Sequence, residues 1–372
     1  MINRINYLYY DDTIDTAITI KDSLEDTDNL FITVRDVESW KEIVQYLLGN
    51  ELEFDGLILD WKLDGEDTSN ADFSSEALAE QCRRLVSHKL KKKKFSKDFP
   101  IILCSAQPGF HNAHSSDTTS LDLFDLILEK DKLAEKGSFL KELASCYQLL
   151  ENLKRNGQRS VNSILGLDSS QEKDISQDLV KKVTSIKDRD SHEIVRFVKN
   201  EVINKKGALI DEAVLAARLG VDIESPKWDE LKNKLSSCKY MGTLYNYYNR
   251  WWADLVDIWW ETNFEDSTLR YLEATERIEK LKTKYPEFSE GLNKISLSEG
   301  SIEEDFWTVC YGLQVPLSES DGFEVDMHLH YSWQEKEYIC LEEAKNEDNK
   351  EKWKKLQEFE EDRLSKYYED SE

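Results

Sequence analysis

Residues 1–154 predict a doubly wound α/β fold with a five-stranded parallel sheet, and residues 191–372 predict a mainly helical α+β domain beyond a linker at 155–190. Three observations lead to this fold class. Short apolar runs alternate with amphipathic stretches in the first part, three of those runs are nearly continuous in aliphatic residues, and helical spacing dominates the last part. A small β element is expected near 306–341, where apolar and polar residues alternate.

Each predicted strand is a short run rich in β-branched, aromatic or leucine residues. The five runs are residues 5–10, 30–34, 55–60, 100–106 and 124–130. The stretches between them and after the last carry apolar residues three and four positions apart, which predicts helices that pack on the sheet. These helices are expected at residues 13–25, 37–48, 75–90 and 138–153.

Composition and charge argue against several classes of protein. The chain has 372 residues with 75 acidic and 49 basic side chains, and its formal charge of −26 disfavours nucleic-acid binding. No stretch approaches the ~18 apolar residues of a membrane-spanning helix, and the N-terminus lacks a signal-peptide pattern. Six cysteines without a C-x-x-C pair fit reduced thiols. We therefore expect a cytoplasmic protein that binds neither nucleic acid nor membrane.

Charged and hydroxyl side chains stand at the carboxyl ends of four predicted strands. Asp11 and Asp12 stand at the end of the first strand, Asp60 at the end of the third, Ser105 at the end of the fourth and Lys130 at the end of the fifth. In an open parallel sheet these ends form one ligand crevice, so we expect the five residues to converge. Each also has a structural interpretation, such as Asp12 capping a helix or Asp60 starting a turn.

Converging carboxylates indicate a cation. Three neighbouring carboxylates repel one another, so all three stay ionised at little cost only when a cation lies among them. Carboxylate oxygens are ligands that Mg²⁺ prefers. Lys130 would neutralise an incoming phosphoryl group, and the Ser105 hydroxyl would donate a hydrogen bond to one of its oxygens. One carboxylate would then be free to act as a nucleophile.

This arrangement resembles the receiver domain of two-component response regulators over roughly the first 150 residues. That family has an acidic pair after strand 1, a phosphoacceptor Asp after strand 3, a Ser or Thr followed by a small residue after strand 4, and a Lys after strand 5. The matching residues here are Asp11, Asp12, Asp60, Ser105, Ala106 and Lys130.

The resemblance implies a fold, a chemistry and a partner. The fold is a flavodoxin-like sheet of order 2-1-3-4-5. Asp60 would receive a phosphoryl group from a sensor histidine kinase. The resemblance also implies Mg²⁺ held by Asp12, Asp60 and the main-chain carbonyl of Lys62, with Asp11 in support.

The chain departs from the receiver pattern at three places. Asp131 follows the lysine where the family usually has proline, and Ile127 occupies the position of an aromatic switch residue on strand 5. The connection between Asp60 and the fourth strand is enlarged by an acidic tract at 65–72 and a basic tract at 89–97. The basic tract is either a solvated loop or a patch for an acidic partner.

The C-terminal part contains helical patterns and one unusually aromatic stretch. Residues 208–220 predict a helix that ends at Gly220. Residues 240–260 are apolar nearly all round when plotted as a helix, which predicts a buried element. The four tryptophans expected in the core are Trp251, Trp252, Trp259 and Trp260.

One alternative site lies in the predicted β element. Asp326, His328 and His330 alternate along one strand face, as the ligands of a metal-dependent hydrolase would. Surface histidines give the same pattern. No helix-turn-helix on a basic surface and no nucleotide-binding loop accompanies them.

Three functions remain open from the sequence. The first is a phosphoacceptor response regulator that receives a phosphoryl group from a histidine kinase and transmits or buffers the signal through a non-DNA-binding C-terminal domain, without turnover chemistry of its own. Its further partner would be a second response regulator or a second copy of the chain in a homodimer. Its architecture also resembles the decoy regulators of bacterial phage-defence two-component systems, which would give it an antiviral role. The second is a receiver-gated hydrolase, and the third is a pseudo-receiver that acts as an interaction module without phosphorylation.

Overall fold

The computed structural model describes residues 4–25, 28–63, 73–87, 94–106, 122–133, 136–265, 267–297, 302–325, 329–346 and 358–369. The chain forms two compact units. The first comprises Met1–Ile164 and Ser185–Val198, and the second comprises Leu165–Thr184 and Lys199–Glu372. The expected linker therefore contributes to both units: it contains helices at Val161–Leu165 and Gln177–Ile186 and a 3-10 turn at Glu172–Asp174.

The first unit contains a five-stranded, all-parallel sheet. Its strands are β1 at Ile5–Tyr10, β2 at Leu30–Arg35, β3 at Gly56–Asp60, β4 at Ile101–Ser105 and β5 at Leu126–Glu129. The strand order is β2-β1-β3-β4-β5, which confirms the predicted doubly wound sheet. Strands β3 and β4 are buried along their whole length, as central strands covered on both faces must be.

Four helices of this unit follow the predicted pattern. They are α1 at Ile14–Leu24, α2 at Trp40–Gly49, α3 at Ser75–Val86 and α4 at Lys136–Arg155. Helix α2 begins three residues later than predicted, because Ser39 and Glu42 form a capping box that fixes its N-terminus. Helix α3 was predicted to continue to residue 90, but it ends at Val86 because Ser87 has an extended backbone. Residues 88–90 and most of the segment between β4 and β5 lie outside the described residues.

A buried polar network stabilises the first unit. The Arg83 guanidinium donates to Asp98 at 3.0 Å and to Asp125 at 2.7 Å, and Tyr147 donates to the other oxygen of Asp125. The His192 main-chain N–H donates to Asp98 at 2.7 Å, and its ring Nδ1 lies 2.8 Å from the same oxygen. Burial raises the pKa of Asp98, but the bonds from His192 and the charge of Arg83 outweigh it and lower that pKa to about 2. This network ties three segments of the chain together.

The second unit is built from short helices and very short strands. Its α-helices beyond the expected linker are Glu212–Leu219, Trp228–Lys234, Ala253–Asn263, Ala274–Lys284, Leu341–Lys345 and Glu358–Glu369. Helix Ser191–Phe197 belongs to the first unit and runs into a π-helix at Val198–Ile203. The strands form three antiparallel pairs: Leu209–Ile210 with Trp251–Trp252, Thr308–Val309 with Pro316–Leu317, and Phe323–Val325 with Glu337–Ile339. The last two pairs lie within residues 306–341, where a small β element was expected.

Two helical predictions in the second unit are wrong in part. The helix expected from residue 208 begins at Glu212, because Asp211 caps it by accepting from the Val214 N–H. The helix does end at Gly220, whose φ of 69° is the left-handed conformation that a helix stop requires.

The aromatic stretch at 240–260 is not one helix. Its first part makes turns, Trp251–Trp252 is a strand, and only the part from Ala253 onward is helical. Trp251, Trp252 and Trp260 are buried as expected, whereas Trp259 is only half-buried. Among the helices that the structure describes, none is both long enough and apolar enough to cross a bilayer.

Candidate functional site

Asp11 and Asp12 follow the last residue of β1. Asp11 is buried and is fixed from two sides: the Tyr9 hydroxyl donates to Oδ2 at 2.6 Å, and the Thr13 N–H donates to Oδ1 at 2.8 Å. Asp12 is half-exposed and accepts from the Thr13 hydroxyl at 3.2 Å. The chain therefore turns after β1 with the Asp11 carboxylate buried and the Asp12 carboxylate partly exposed to solvent.

Asp60 is the last residue of β3 and keeps 6% of its surface exposed. Its Oδ2 accepts from the Lys62 N–H at 2.9 Å, so the loop after β3 orients the carboxylate. Its main-chain carbonyl accepts from the hydroxyl of Ser75, the buried first residue of α3. Together these bonds fix both the side chain and the strand end.

Lys130 lies directly after β5 and joins the two buried carboxylates. Its Nζ is 2.7 Å from Asp60 Oδ1 and 3.0 Å from Asp11 Oδ2. Its main-chain N–H donates to the Ser105 carbonyl at 2.9 Å, which continues the pairing of β5 with β4. The ammonium therefore reaches across the crevice from a backbone position that the sheet itself sets.

Ser105 and Ala106 end the fourth strand at the same edge. Ser105 is fully buried as the last residue of β4, and Ala106 is exposed immediately beyond it. In the sheet register Asp60 is opposite Cys104, one residue before Ser105. The structure thus places Ser105, Asp60 and Lys130 on neighbouring strand ends, as the sequence predicted.

Burial and charge shift the pKa values of the two central groups. Burial raises the pKa of Asp60 above its ordinary value, the hydrogen bond from Lys130 lowers it, and the neighbouring Asp11 charge raises it again. Burial lowers the pKa of Lys130, but its hydrogen bonds and ion pairs with Asp60 and Asp11 outweigh this and raise it. The lysine is therefore held in its charged form beside the carboxylates.

The three carboxylates form a group that fits a divalent cation. Asp11, Asp12 and Asp60 each offer an oxygen, and these oxygens lie within 4.8 Å of one another. Ligands on opposite sides of a Mg²⁺ ion lie roughly 4.2 Å apart, since each bond is about 2.1 Å long. Three carboxylates beside one ammonium also leave an excess negative charge that a divalent cation would balance. Among the described residues, this is the one group of three metal-ligating side chains.

The structure describes Asp131 and Ile127, which depart from the receiver pattern, and only part of the two charged tracts. Asp131 is exposed beyond the site, and Ile127 is a core residue of β5, packed with the aliphatic side chains on that face of the sheet. Residues 65–72 lie outside the described part of the chain, as do 89–93 of the basic tract. Lys97, at the end of that tract, donates to the Phe54 carbonyl at 2.6 Å.

The alternative site in the second unit has little described geometry. Asp326 and His328 lie outside the described residues. His330 is exposed, and its main-chain N–H donates to the Gln334 side chain at 2.8 Å.

Sequence reasoning missed three residues that support the acidic site. Tyr9 and Thr13 fix Asp11, and Ser75 fixes the main chain of Asp60. Tyr9 precedes Asp11 by two positions, so period-2 alternation puts both on one face and was the available signal. Ser75 gave no comparable signal, because its contact joins residues 15 positions apart.

The chain was compared with known families and proteins. No protein-family model matches it, and no curated protein does. Solved structures do match its N-terminal part. A receiver domain (CheY-like) from Methylobacillus flagellatus is 22% identical, with 38% of this chain and 99% of that chain covered and a TM-score of 0.26.

Two further matches describe the same part of the chain. The non-phosphorylated receiver domain of the stress response regulator RcsB from Escherichia coli is 20% identical, covering 39% of this chain and 95% of that chain at a TM-score of 0.27. A chain from the co-crystal structure of the Saccharomyces cerevisiae phosphotransfer protein Ypd1 with the receiver domain of Ssk1 is 16% identical, covering 39% of this chain and 92% of that chain at 0.28. The first unit has the predicted sheet order, and the three solved structures named here are of receiver domains or contain one.

Proposed function

We propose that this chain is a phosphoacceptor response regulator in which Asp60 takes a phosphoryl group from the phosphohistidine of a sensor histidine kinase. One observation supports this most strongly. Lys130 lies within 3.0 Å of both Asp60 and Asp11 at the carboxyl edge of the sheet, with Asp12 and Ser105 at the same edge. Residues up to 119 positions apart in the sequence meet here.

The proposed step is a nucleophilic displacement at phosphorus. An oxygen of the Asp60 carboxylate attacks the phosphoryl group, the P–N bond to the histidine breaks, and the departing imidazole nitrogen keeps the electron pair and takes up a proton. The product is an acyl phosphate on Asp60. Because Asp60 keeps a small exposed surface, an incoming phosphoryl donor can approach it from the crevice.

The neighbouring residues would each perform one task. Lys130 would leave its contact with the Asp60 carboxylate and neutralise charge on the transferring group, and the Ser105 hydroxyl would donate to a phosphoryl oxygen. Asp12, Asp60 and the Lys62 carbonyl would hold Mg²⁺, and Asp11 would support it. Bound there, Mg²⁺ would supply positive charge against the phosphoryl oxygens.

Incubation with acetyl phosphate and Mg²⁺, read by intact mass, tests this proposal. We expect the wild type to gain one phosphoryl group and Asp60→Asn to gain none. Asp28→Asn is the matched control, since Asp28 is exposed and precedes β2 at the opposite edge of the sheet. A wild type that gains no mass and binds no Mg²⁺ would contradict the proposal and leave the pseudo-receiver.

For the output, we propose a phosphoryl store rather than a DNA-binding effector. The support is an acceptor site with all its chemical groups present in a chain of net charge −26, whose sequence shows no DNA-binding motif. Such a chain would lower the phosphorylation of a second response regulator that shares its kinase, which is the behaviour of a decoy in phage defence. Adding wild type or Asp60→Asn to a kinase and its other regulator measures this. Equal phosphorylation of that regulator in both mixtures would contradict the storage role.

A further inference from the structure

The second unit contains a pocket that phosphotransfer does not use. It encloses about 430 Å³, a volume typical of small-molecule sites. Four nearly buried aliphatic residues line part of it, namely Ile203, Leu209, Val214 and Val309, and Asn204, Tyr311 and Gln314 add polar groups to the lining. Ile203 is also the last residue of the π-helix, an element frequent at functional sites.

Two opposite charges in the pocket wall have no ionic partner among the residues that the structure describes. The Arg250 guanidinium bonds only to the carbonyls of Ile203 and Asn249, and its Nη2 makes no hydrogen bond to any described residue. Asp211 uses Oδ1 to accept from the Val214 N–H and pairs with no cation within the described part of the chain. Both side chains line the pocket.

The short ladder brings together the two segments that carry these charges. Leu209 pairs with Trp252 and Ile210 with Trp251 in an antiparallel ladder. Asp211 follows Ile210 and Arg250 precedes Trp251, so the two residues stand at the same end of the ladder, and both line the pocket. They nevertheless form no ion pair with each other, so each keeps hydrogen-bonding capacity for a ligand.

The other charged pair of the wall is already satisfied. Lys206 donates to Thr308 at 2.5 Å and to Glu337 at 3.1 Å, and both side chains are mostly buried. Lys206 and Glu337 therefore neutralise each other. The capacity for charged recognition rests with Asp211 and Arg250.

We propose that this pocket binds an α-amino acid. Arg250 would bind the carboxylate, Asp211 would bind the ammonium group, and Tyr311, which is partly exposed at the pocket, would contact the side chain. An α-amino acid carries its two charges one carbon apart, which suits two groups of opposite sign that line one pocket. The proposal is independent of phosphorylation at Asp60.

Three probes of one shape test the proposal on the full-length chain. L-phenylalanine carries both charges, 3-phenylpropanoate lacks the ammonium group, and 2-phenylethylamine lacks the carboxylate. We expect L-phenylalanine to bind at least about tenfold more tightly than either probe, because a charge-assisted bond is lost in each case. Titration calorimetry, or saturation-transfer NMR at millimolar concentration, measures the order of affinities.

Paired variants assign each charge. With Arg250→Gln, L-phenylalanine should bind no more tightly than 2-phenylethylamine, which lacks the carboxylate. With Asp211→Asn, L-phenylalanine should bind no more tightly than 3-phenylpropanoate, which lacks the ammonium group, and the asparagine side chain can still cap the helix. Arg270→Gln is the control, since Arg270 is paired with Glu319 away from the pocket, and circular dichroism checks that every variant is folded. The proposal is overturned if L-phenylalanine does not bind at millimolar concentration, if the three probes bind alike, or if folded variants bind all three probes as the wild type does.

Discussion

The two units of this chain differ in how directly their sequences reveal chemistry. The first unit has strands of four to six residues in one parallel sheet, whereas the second has strands of two or three residues in three separate pairs. In a parallel sheet every strand points the same way, so the residues after the strands share one edge. The described strands of the second unit share no edge of this kind, and its charged pocket is visible only in the three-dimensional structure.

The topology of a parallel sheet makes residues that are distant in sequence predictable neighbours in space. Asp60 and Lys130 are 70 positions apart, and each was placed by counting strand ends. Arg250 and Asp211 are closer in sequence, yet their proximity depends on a two-residue ladder that the sequence pattern presented as helix.

The largest expected effect concerns the scaffold of the first unit rather than its site. Arg83→Leu removes the buried guanidinium that Asp98 and Asp125 share, and breaking a buried ion pair in this way costs about 3–5 kcal/mol. Urea unfolding followed by circular dichroism measures the loss. Arg84→Leu is the matched control, since Arg84 is exposed on the same helix and should change stability by no more than about 0.5 kcal/mol. Similar losses in the two variants would refute the importance of the network.

The next effect separates the site from the scaffold. Lys130→Gln removes the ammonium that lies between Asp60 and Asp11, and we expect phosphorylation by acetyl phosphate to slow by about 100-fold while Mg²⁺ still binds. Lys132→Gln, at an exposed position two residues further on, should react at the wild-type rate. Time courses of intact mass provide the rates. If Lys130→Gln reacts as fast as Lys132→Gln, the lysine has no part in the transfer.

The smallest effect is a pH response of the second unit. Burial raises the pKa of Asp257 to about 6, with Arg218 lowering it and Asp254 raising it, and its Oδ1 is buried without a hydrogen-bond partner among the described residues. A carboxyl group with a raised pKa in the folded state favours folding most below its unfolded value of about 3.9, and that contribution disappears as pH rises through 6. Stability should therefore fall between pH 5 and pH 8.

Asp257→Asn isolates this response. Because the asparagine does not ionise, the variant's stability should not follow this titration. The unfolding free energy of the variant minus that of the wild type should therefore be about 1.4 kcal/mol larger at pH 8 than at pH 5. Urea unfolding at the two pH values measures it. A difference between variant and wild type that does not change with pH would show that Asp257 is not the group responsible.

Much of the first unit was predictable, and the reasons for the remainder are physical. The strand positions followed from aliphatic runs, and Asp11, Asp60, Ser105 and Lys130 followed from the strand ends. The contact of Ser75 with the Asp60 carbonyl did not, since it depends on how α3 packs. In the second unit, the aromatic run at 240–260 had the composition of a buried helix, but Trp251 and Trp252 pair with Leu209 and Ile210 instead. Tertiary contacts outweigh local preference there.

The measurement that tests the central claim most directly locates the phosphoryl group. After reaction with acetyl phosphate, borohydride reduces an acyl phosphate on aspartate to the alcohol, and tandem mass spectrometry of peptides identifies the changed residue. The account predicts homoserine at position 60, formed only when Mg²⁺ was present and absent from a sample kept in a chelator. Reduction at another aspartate, or an equal yield with and without Mg²⁺, would contradict the assignment of this acidic site as the phosphoacceptor.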